Sequence, residues 1–281
     1  TVALGMLQQW AGVAWVPMRA APAAVFANAN MASQYVVMVL PIVCAAMFYA
    51  RRTIWKVLTG ATAALCLVFL FYTECRAAWL AAAAALCWAV LLLLSARSAG
   101  NRKRIAYIGA FAAVTIVCAV TLTGMSFSRL AGSMGGSALY RQTVWKNSVA
   151  MIQDKPLQGF GPGHFSVMYP AYTCRSHIDR AFDKKKQIRR AHNDYLQSGA
   201  EMGLPGMALF IMLSLSGLII GFRHSVSARP FALRIPTAGF SAGIVTFMVT
   251  AFFSFPLQRA QPPLLFFVYL GVLVLICGDQ E

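Results

Sequence analysis

The sequence predicts an all-α protein: a polytopic transmembrane helical bundle with one large, partly helical loop on its external face. Three observations lead to this prediction. Apolar residues make up 59% of the chain and charged residues only 11%, whereas about 25% of an ordinary soluble domain is charged. The apolar residues form runs of about 20 residues, the length that crosses a bilayer. A single long polar stretch, residues 126–206, separates two groups of these runs.

Seven of the apolar runs are predicted to cross the membrane. They are residues 31–50, 57–72, 77–94, 105–122, 207–222, 235–253 and 264–277. The short connections that are rich in Lys and Arg all fall on one side, which marks that side as cytoplasmic. The polar stretch then lies on the opposite face. Residues 1–24 are left unassigned, because Pro17, Arg19 and Pro22 interrupt their apolar pattern.

These spans divide the chain into three parts. Residues 1–125 are predicted to form N-terminal transmembrane helices, residues 126–206 a large external loop in which we expect the chemistry, and residues 207–281 C-terminal transmembrane helices. The chain opens at Thr1 without a methionine, and no signal-peptide pattern follows. We therefore expect an N-terminally truncated chain that lacks the first spans of a longer protein.

The polar loop carries an excess of positive charge. It holds eleven Lys and Arg residues against five Asp and Glu residues, on the side where topology does not favour basic residues. Contact with anionic lipid headgroups is one explanation, and it suffices for Lys184, Lys185 and Lys186. A site for a phosphate-bearing substrate is the other, because an arginine fork binds two phosphate oxygens at once. We favour the second explanation for Arg141.

Arg76 and His192 are two further candidates for chemistry. Arg76 lies beside Glu74 between two spans, either as an interfacial arginine with an acidic partner or directed at the anion of Arg141. His192 follows two arginines and precedes a predicted helix. Imidazole suits proton transfer near neutral pH, although a lone histidine is more often a polar surface residue. The histidines and cysteines show no metal-ligand or CxxC spacing, so we expect neither a metal nor a cofactor.

Local patterns predict two helices and a turn within the loop. An apolar stripe predicts a short amphipathic helix over residues 139–152, with Ser137 as its N-cap and Asp154 and Pro156 at its end. The stripe consists of Val144, Trp145, Ser148, Val149 and Ile152. Residues 159–163, with three glycines, are predicted to form a turn. Residues 193–202 are predicted to be helical and to stop at Gly203.

An ordered set of motifs runs through the chain. In the loop these are Tyr140-Arg141-x3-Trp145, then Asp154-x-Pro156-Leu157-x-Gly159-x-Gly161-Pro162-Gly163, then His192-Asn193-x2-Leu196-x4-Glu201-x-Gly203-Leu204-Pro205-Gly206. Flanking motifs are Phe26-x-Asn28-x-Asn30, Thr73-x-Cys75-Arg76-x2-Trp79 and Phe253-Ser254-Phe255-Pro256-Leu257. This set resembles the O-antigen ligase family, whose superfamily includes O-antigen polymerases and protein O-oligosaccharyltransferases. Cys75 and His164 depart from the pattern, where Ser and Asn are common.

The resemblance implies an enzyme that moves a glycan from undecaprenyl diphosphate to a hydroxyl acceptor, such as lipid A core. The reaction would take place at the periplasmic face of the bacterial inner membrane, without a metal. By motif position, His192 and Arg141 would be catalytic, and Arg141 and Arg76 would bind the diphosphate. We also assign Arg189, Arg190 and Glu201 to substrate binding, with Glu201 fixing the helix or a neighbouring arginine rather than reacting.

The expected partners follow from this function. They are the lipid-linked glycan donor, an acceptor that is a glycan, lipid A core or a protein, and membrane lipids. Nucleic acid is not expected despite the net charge of +16, since topology explains part of that charge. An O-antigen polymerase and a protein O-oligosaccharyltransferase are alternatives. A membrane transporter is disfavoured, because the spans carry almost no central charge and no internal repeat is visible.

Overall fold

The computed structural model describes residues 1–12, 22–26, 28–95, 134–173, 188–227 and 231–278. Within these ranges every regular element is helical and none is a strand, which confirms the all-α prediction. The helices are α1 (Val2–Ala11), α2 (Ala29–Tyr49), α3 (Thr53–Thr73), α4 (Arg76–Leu94), α5 (Met134–Asp154), α6 (Phe165–Met168), α7 (Asp194–Val226), α8 (Phe231–Phe253) and α9 (Gln261–Gly278). Two short 3-10 helices, Tyr169–Tyr172 and Pro256–Gln258, join them.

Six helices of the described part are long and apolar enough to cross a membrane. They are Ala29–Tyr49, Thr53–Thr73, Arg76–Leu93, Asp194–Val226, Leu233–Phe253 and Gln261–Gly278. Each contains one of the predicted spans or nearly all of it, so the prediction of a polytopic helical bundle is confirmed. The remaining predicted span, residues 105–122, lies outside the described residues. So do Lys184, Lys185 and Lys186 of the loop.

The predicted interruption between the second and third spans is a tight reversal. Glu74 adopts a left-handed conformation with φ 50° and ends α3. Cys75 is then the N-cap of α4, and Arg76 is its first residue. Arg76 is partly buried and Glu74 is exposed. Arg76 is therefore placed at the end of a span, where a long basic side chain reaches polar surroundings at low cost.

The chain divides into two compact units. The first comprises Thr1–Thr123, Ser216–Thr250 and Ala260–Glu281, and the second comprises Gly124–Leu215 and Ala251–Arg259. In the first unit α2 packs against α3, α4 and α9. Small residues permit the close approach of helices in this unit, because a Cβ on Gly239 would lie 2.5 Å from Ala45 Cβ. Such small-residue contacts are typical of membrane helices, which gain little from hydrophobic burial against each other.

Helix α5 of the second unit differs from the prediction at its start. It begins at Met134, so Ser137 lies inside the helix and the assignment of Ser137 as its N-cap is wrong. Its end at Asp154, followed by Pro156 two residues later, is as predicted. A proline cannot donate the backbone hydrogen bond that would continue the helix.

The buried face of α5 is also slightly rotated from the predicted stripe. Val144, Ser148 and Ile152 are buried as predicted. Val149 is 41% exposed instead, and Met151 is 0% exposed. The reason is the position of the neighbouring core, since Met151 packs in a cluster with aromatic residues of α6 and the following 3-10 helix, such as Phe165.

Candidate active site

The glycine-rich turn after α5 is docked onto the end of the first part of α7. The Phe160 N–H donates to the Ala200 carbonyl oxygen at 3.0 Å, and the Gly161 N–H donates to the Glu201 carbonyl oxygen at 2.8 Å. These carbonyls lie just before the break at Gly203, so they need partners outside the helix. The turn predicted for residues 159–163 is therefore present, and it caps a helix end.

Glycine is required at two places in this docking. Gly159 has φ 64°, and a Cβ there would lie 2.5 Å from the Glu201 carbonyl oxygen. Gly203 has φ 70° and ψ −177°, a region of backbone space that is essentially restricted to glycine. At Gly203 a Cβ would lie 2.5 Å from the Leu157 carbonyl oxygen. The predicted helix stop at Gly203 is thereby confirmed.

His192 lies in a backbone segment that is fixed on both sides. The preceding residue, Ala191, donates its N–H to Gln197 Oε1 at 3.1 Å. Its carbonyl oxygen accepts from Trp145 Nε1 at 3.0 Å. The following residue, Asn193, caps α7, because its Oδ1 accepts from the Leu196 N–H at 3.1 Å. His192 is thus held between two residues whose hydrogen bonds are satisfied.

The His192 backbone itself has a left-handed conformation, with φ 54°. A non-glycine residue in this region costs about 1–3 kcal/mol, and it persists only where its surroundings determine it. Such outliers are concentrated at active sites. Among the described residues, the other non-glycine residues with a positive φ are Ala24 and Glu74. The remaining positive-φ residues are glycines.

The His192 ring is partly buried beside aromatic and cationic groups. Its centroid lies 5.0 Å from that of Phe255, with the rings at 75° in an edge-to-face arrangement. Burial, and to a smaller extent the positive charges of Arg141 and Arg259, lower the pKa of His192 to about 4. At neutral pH the imidazole is therefore neutral, and one of its ring nitrogens is free of a proton.

A short turn, residues 255–259, packs beside this histidine. The Leu257 N–H donates to Asp194 Oδ2 at 2.6 Å, and Arg190 Nη1 donates to Gln258 Oε1 at 2.6 Å. The Arg259 guanidinium lies over the Phe255 ring, 4.5 Å from its centroid. Arg141, Arg190 and Arg259 therefore all belong to the same unit as His192.

Glu201 lies inside this unit and is held by two hydrogen bonds. Its Oε1 accepts from the Phe165 N–H at 3.3 Å and from Gln197 Nε2 at 3.1 Å. Gln197 in turn binds the Ala191 N–H. Glu201 is 5% exposed; its assignment to substrate binding stays a prediction, and the structure shows only these contacts. They join α6 to the segment that carries His192.

The remaining predicted site residues are placed differently. Arg141 is partly buried on α5, and Arg190 is partly buried next to the turn 255–259. Arg189 is exposed. Arg76 belongs to the first unit, so its action together with Arg141 stays a prediction. Substrate binding by these arginines also stays a prediction.

Several residues that shape the site were not assigned to it from the sequence. They are Trp145, Asn193, Asp194, Gln197, Phe255 and Arg259. Two of them left a local signal. Asn193 stands at the start of the predicted helix 193–202, where N-caps occur, and Gln197 lies four residues before Glu201, on the same helix face. The contacts of Asp194 and Phe255 link distant parts of the chain and left none.

Comparison with known proteins identifies the family of this chain. The family model described as O-antigen ligase matches residues 61–211, which is more than half of the chain and includes Arg76, Arg141 and His192. A comparison with curated protein sequences gives no match. The family groups membrane glycosyltransferases of the ligase and polymerase type, which act on lipid-linked glycans and acceptors. With six candidate spans among its described residues, the chain is a multi-pass membrane protein that belongs to the O-antigen ligase family.

Proposed function

We propose that the protein transfers a glycan from undecaprenyl diphosphate to a hydroxyl acceptor, such as lipid A core, at the periplasmic face of the bacterial inner membrane. The observation that carries this proposal is the placement of the partly buried His192 imidazole beside Phe255 and Arg259, in the unit that also contains Arg141. The charges of both arginines contribute to the low pKa of His192, after burial. Glycan transfer needs a base for the acceptor hydroxyl and positive charge for the departing diphosphate. The second unit contains both kinds of group.

The reaction follows from these groups. The acceptor oxygen attacks the anomeric carbon of the glycan, and the bond from that carbon to the diphosphate breaks. The hydroxyl proton goes to the neutral imidazole of His192, which acts as general base. The diphosphate leaves as an anion on its lipid. A planar arginine fork at Arg141 suits this anion, because it donates two parallel hydrogen bonds to phosphate oxygens.

The low pKa of His192 keeps the imidazole ready to accept a proton. In the free protein, burial and the two arginines keep the imidazole neutral. A bound diphosphate brings negative charge close to Arg141, which offsets the field of that arginine at His192. The pKa of the imidazole then rises by the part of the lowering that Arg141 causes, whereas the larger part, caused by burial, remains. Donor binding thereby makes His192 a stronger base.

The orientation rests on the distribution of basic residues. Arg51 and Arg52 lie exposed between α2 and α3, and Lys56 is exposed in the first turn of α3. Short cytoplasmic loops and the adjoining helix ends collect such residues. The predicted loop 126–206 emerges on the other side. Lipid-linked donors displayed on the periplasmic leaflet would reach His192 from that side.

Reconstitution tests this function. Purified protein in proteoliposomes receives a fluorescent glycan on undecaprenyl diphosphate together with lipid A core, a growing glycan or a serine-containing protein. We expect release of undecaprenyl diphosphate with glycan on lipid A core. Transfer mainly to the glycan or to the protein would instead identify a polymerase or a protein O-oligosaccharyltransferase. Movement of the donor across the bilayer without release of the diphosphate would contradict enzymatic transfer.

Arg141→Lys tests the diphosphate assignment. The lysine keeps the charge but loses the planar fork, so we expect kcat to fall by about 10²–10³-fold, the cost of removing one key donor to a developing anion. Lys146→Gln is the matched control, because Lys146 is an exposed cation on the same helix. This control should keep activity within about two-fold, as ordinary surface substitutions do. A greater loss in the control would place the anion elsewhere.

A further inference from the structure

Asp194 is a buried carboxylate to which the proposed reaction gives no role. It is 0% exposed and is the first residue of α7. Its Oδ2 accepts from the Leu257 N–H, and its Oδ1 is buried without a hydrogen-bond partner among the described residues. A buried carboxylate is costly unless it is compensated. The helix N-terminus, the bond to the Leu257 amide and the charges of Arg259 and Arg190 supply part of that compensation.

The bond of Asp194 holds the turn 255–259 in place. It joins two residues that are 63 positions apart in the sequence. A second hydrogen bond, from Arg190 to Gln258, also holds the turn. Arg190 precedes His192 by two residues and Asp194 follows it by two. The turn is therefore fastened on both sides of the histidine.

The fastened turn controls the surroundings of the His192 ring. Phe255, two residues before Leu257, provides the ring whose centroid lies 5.0 Å from the imidazole. The Arg259 guanidinium lies over the same phenyl ring, 4.5 Å from its centroid. Loss of the hydrogen bond to Leu257 would weaken the constraint that holds the Phe255 ring and the Arg259 charge beside the imidazole. The backbone bonds through Trp145 and Gln197 would still hold the His192 main chain.

We propose that Asp194 is a positioning residue for glycan transfer, and that it acts by holding the turn 255–259 so that Phe255 orients the His192 imidazole. This inference rests on the proposed function of His192 as the base. The competing explanation is that Asp194 only stabilises the start of α7, as an acidic residue in a first helical turn does. The two explanations differ in whether the effect of Asp194 requires His192.

Four variants separate the two explanations. Asp194→Asn keeps an oxygen that can accept from Leu257, whereas Asp194→Ala removes it. Asp194→Ser keeps a side chain suited to a helix start but is too short to reach the turn. The fourth, Asp154→Ala, is the matched control, since Asp154 is an exposed carboxylate bonded to the Tyr172 hydroxyl.

We expect a split between kcat and KM. Asp194→Ala and Asp194→Ser should lower kcat by about 10²-fold, the effect of a small misplacement of a catalytic group, with the donor KM nearly unchanged. Asp194→Asn should lose much less. In a His192→Ala background, Asp194→Ala should cause no further loss, because residues that act as a unit are not additive. Wild-type kcat in Asp194→Ala, or an additive loss in the double variant, would overturn the proposal.

A chemical readout tests the same inference without transfer activity. Diethyl pyrocarbonate modifies imidazole, and mass spectrometry resolves the modification of His192 from that of the other histidines. Release of Phe255 from the ring should raise the modification rate of His192 several-fold in Asp194→Ala and Asp194→Ser, and leave it unchanged in Asp154→Ala. An unchanged rate in both Asp194 variants would overturn the positioning role. A failure of the proposed function would be seen in a different measurement, because His192→Ala would then retain glycan transfer.

Discussion

Gly203 is where the glycine-rich turn and α7 approach most closely, and Gly203→Ala tests that docking. The new Cβ would lie 2.5 Å from the Leu157 carbonyl oxygen and 2.8 Å from the Pro156 carbonyl oxygen. Both contacts are to backbone, which has little freedom to move aside. The φ of 70° and ψ of −177° also disfavour any residue with a side chain.

The size of the effect follows from these features. The backbone conformation alone costs about 1–3 kcal/mol for a residue other than glycine. Relief of the collision would separate the turn from the helix and break the bonds Leu204 N–H to Pro156 O and Gly161 N–H to Glu201 O. Each such bond contributes about 0.5–1.5 kcal/mol. Together they predict a loss of about 2–6 kcal/mol in the stability of this unit.

Gly163→Ala is the matched control for this experiment. Gly163 also has a positive φ, 78°, but a Cβ there would meet no atom within 4 Å. It should therefore show only the left-handed backbone cost, about 1–2 kcal/mol. Thermal unfolding in detergent, together with the rate of chymotrypsin cleavage after the exposed Leu157, measures both variants. Equal unfolding temperatures and equal cleavage rates would refute the docking of the turn onto α7.

Two further predictions concern the histidine. Because burial and then Arg141 and Arg259 lower the pKa of His192 to about 4, and because only the neutral imidazole is a base, activity should be lost as pH falls through that value. In a plot of kcat/KM against pH, the fall on the acid side should lie near pH 4. Arg141→Gln should move this fall to higher pH, because it removes a positive charge that lowers the pKa of His192. A fall near pH 6.5 in the wild type would contradict the lowered pKa of His192. Trp145→Phe keeps an aromatic ring facing Phe252 but removes the N–H that donates to the Ala191 carbonyl oxygen. We therefore expect the free energy of unfolding to fall by about 1–3 kcal/mol and kcat to fall as well. Unchanged thermal unfolding and turnover in this variant would show that the bond to Ala191 is not needed.

Hydropathy and helix signals were enough to predict much of the fold. Lipid leaves few choices for the backbone of an apolar run other than a helix, so the spans follow from length and composition. The stop at Gly203 and the turn at residues 159–163 also follow locally, because few residues besides glycine adopt their backbone conformations. The rotation of the buried face of α5 towards Met151 depends on its partners, which a single helix pattern does not contain.

The candidate site was predictable only in part, for the same physical reason. His192 and Arg141 were selected by residue type and by the resemblance to a family. The left-handed backbone of His192 and its bonds through Trp145 and Gln197 are products of packing. The tie between Asp194 and Leu257 spans 63 positions, and no local periodicity encodes such a contact. Residues that hold a catalytic group in place are therefore harder to find than the group itself.

The turnover of His192 variants tests the central claim most directly. Proteoliposomes that contain His192→Ala or His192→Gln are compared with wild type for glycan transfer and, separately, for donor binding. As general base, His192 should contribute about 10²–10⁴-fold to the rate. We predict a loss of this size in both variants with donor binding nearly intact, because glutamine can donate and accept hydrogen bonds but does not take up a proton at neutral pH. Near-normal turnover in His192→Gln would contradict the assignment of His192 as the base, because that side chain would then only position the acceptor.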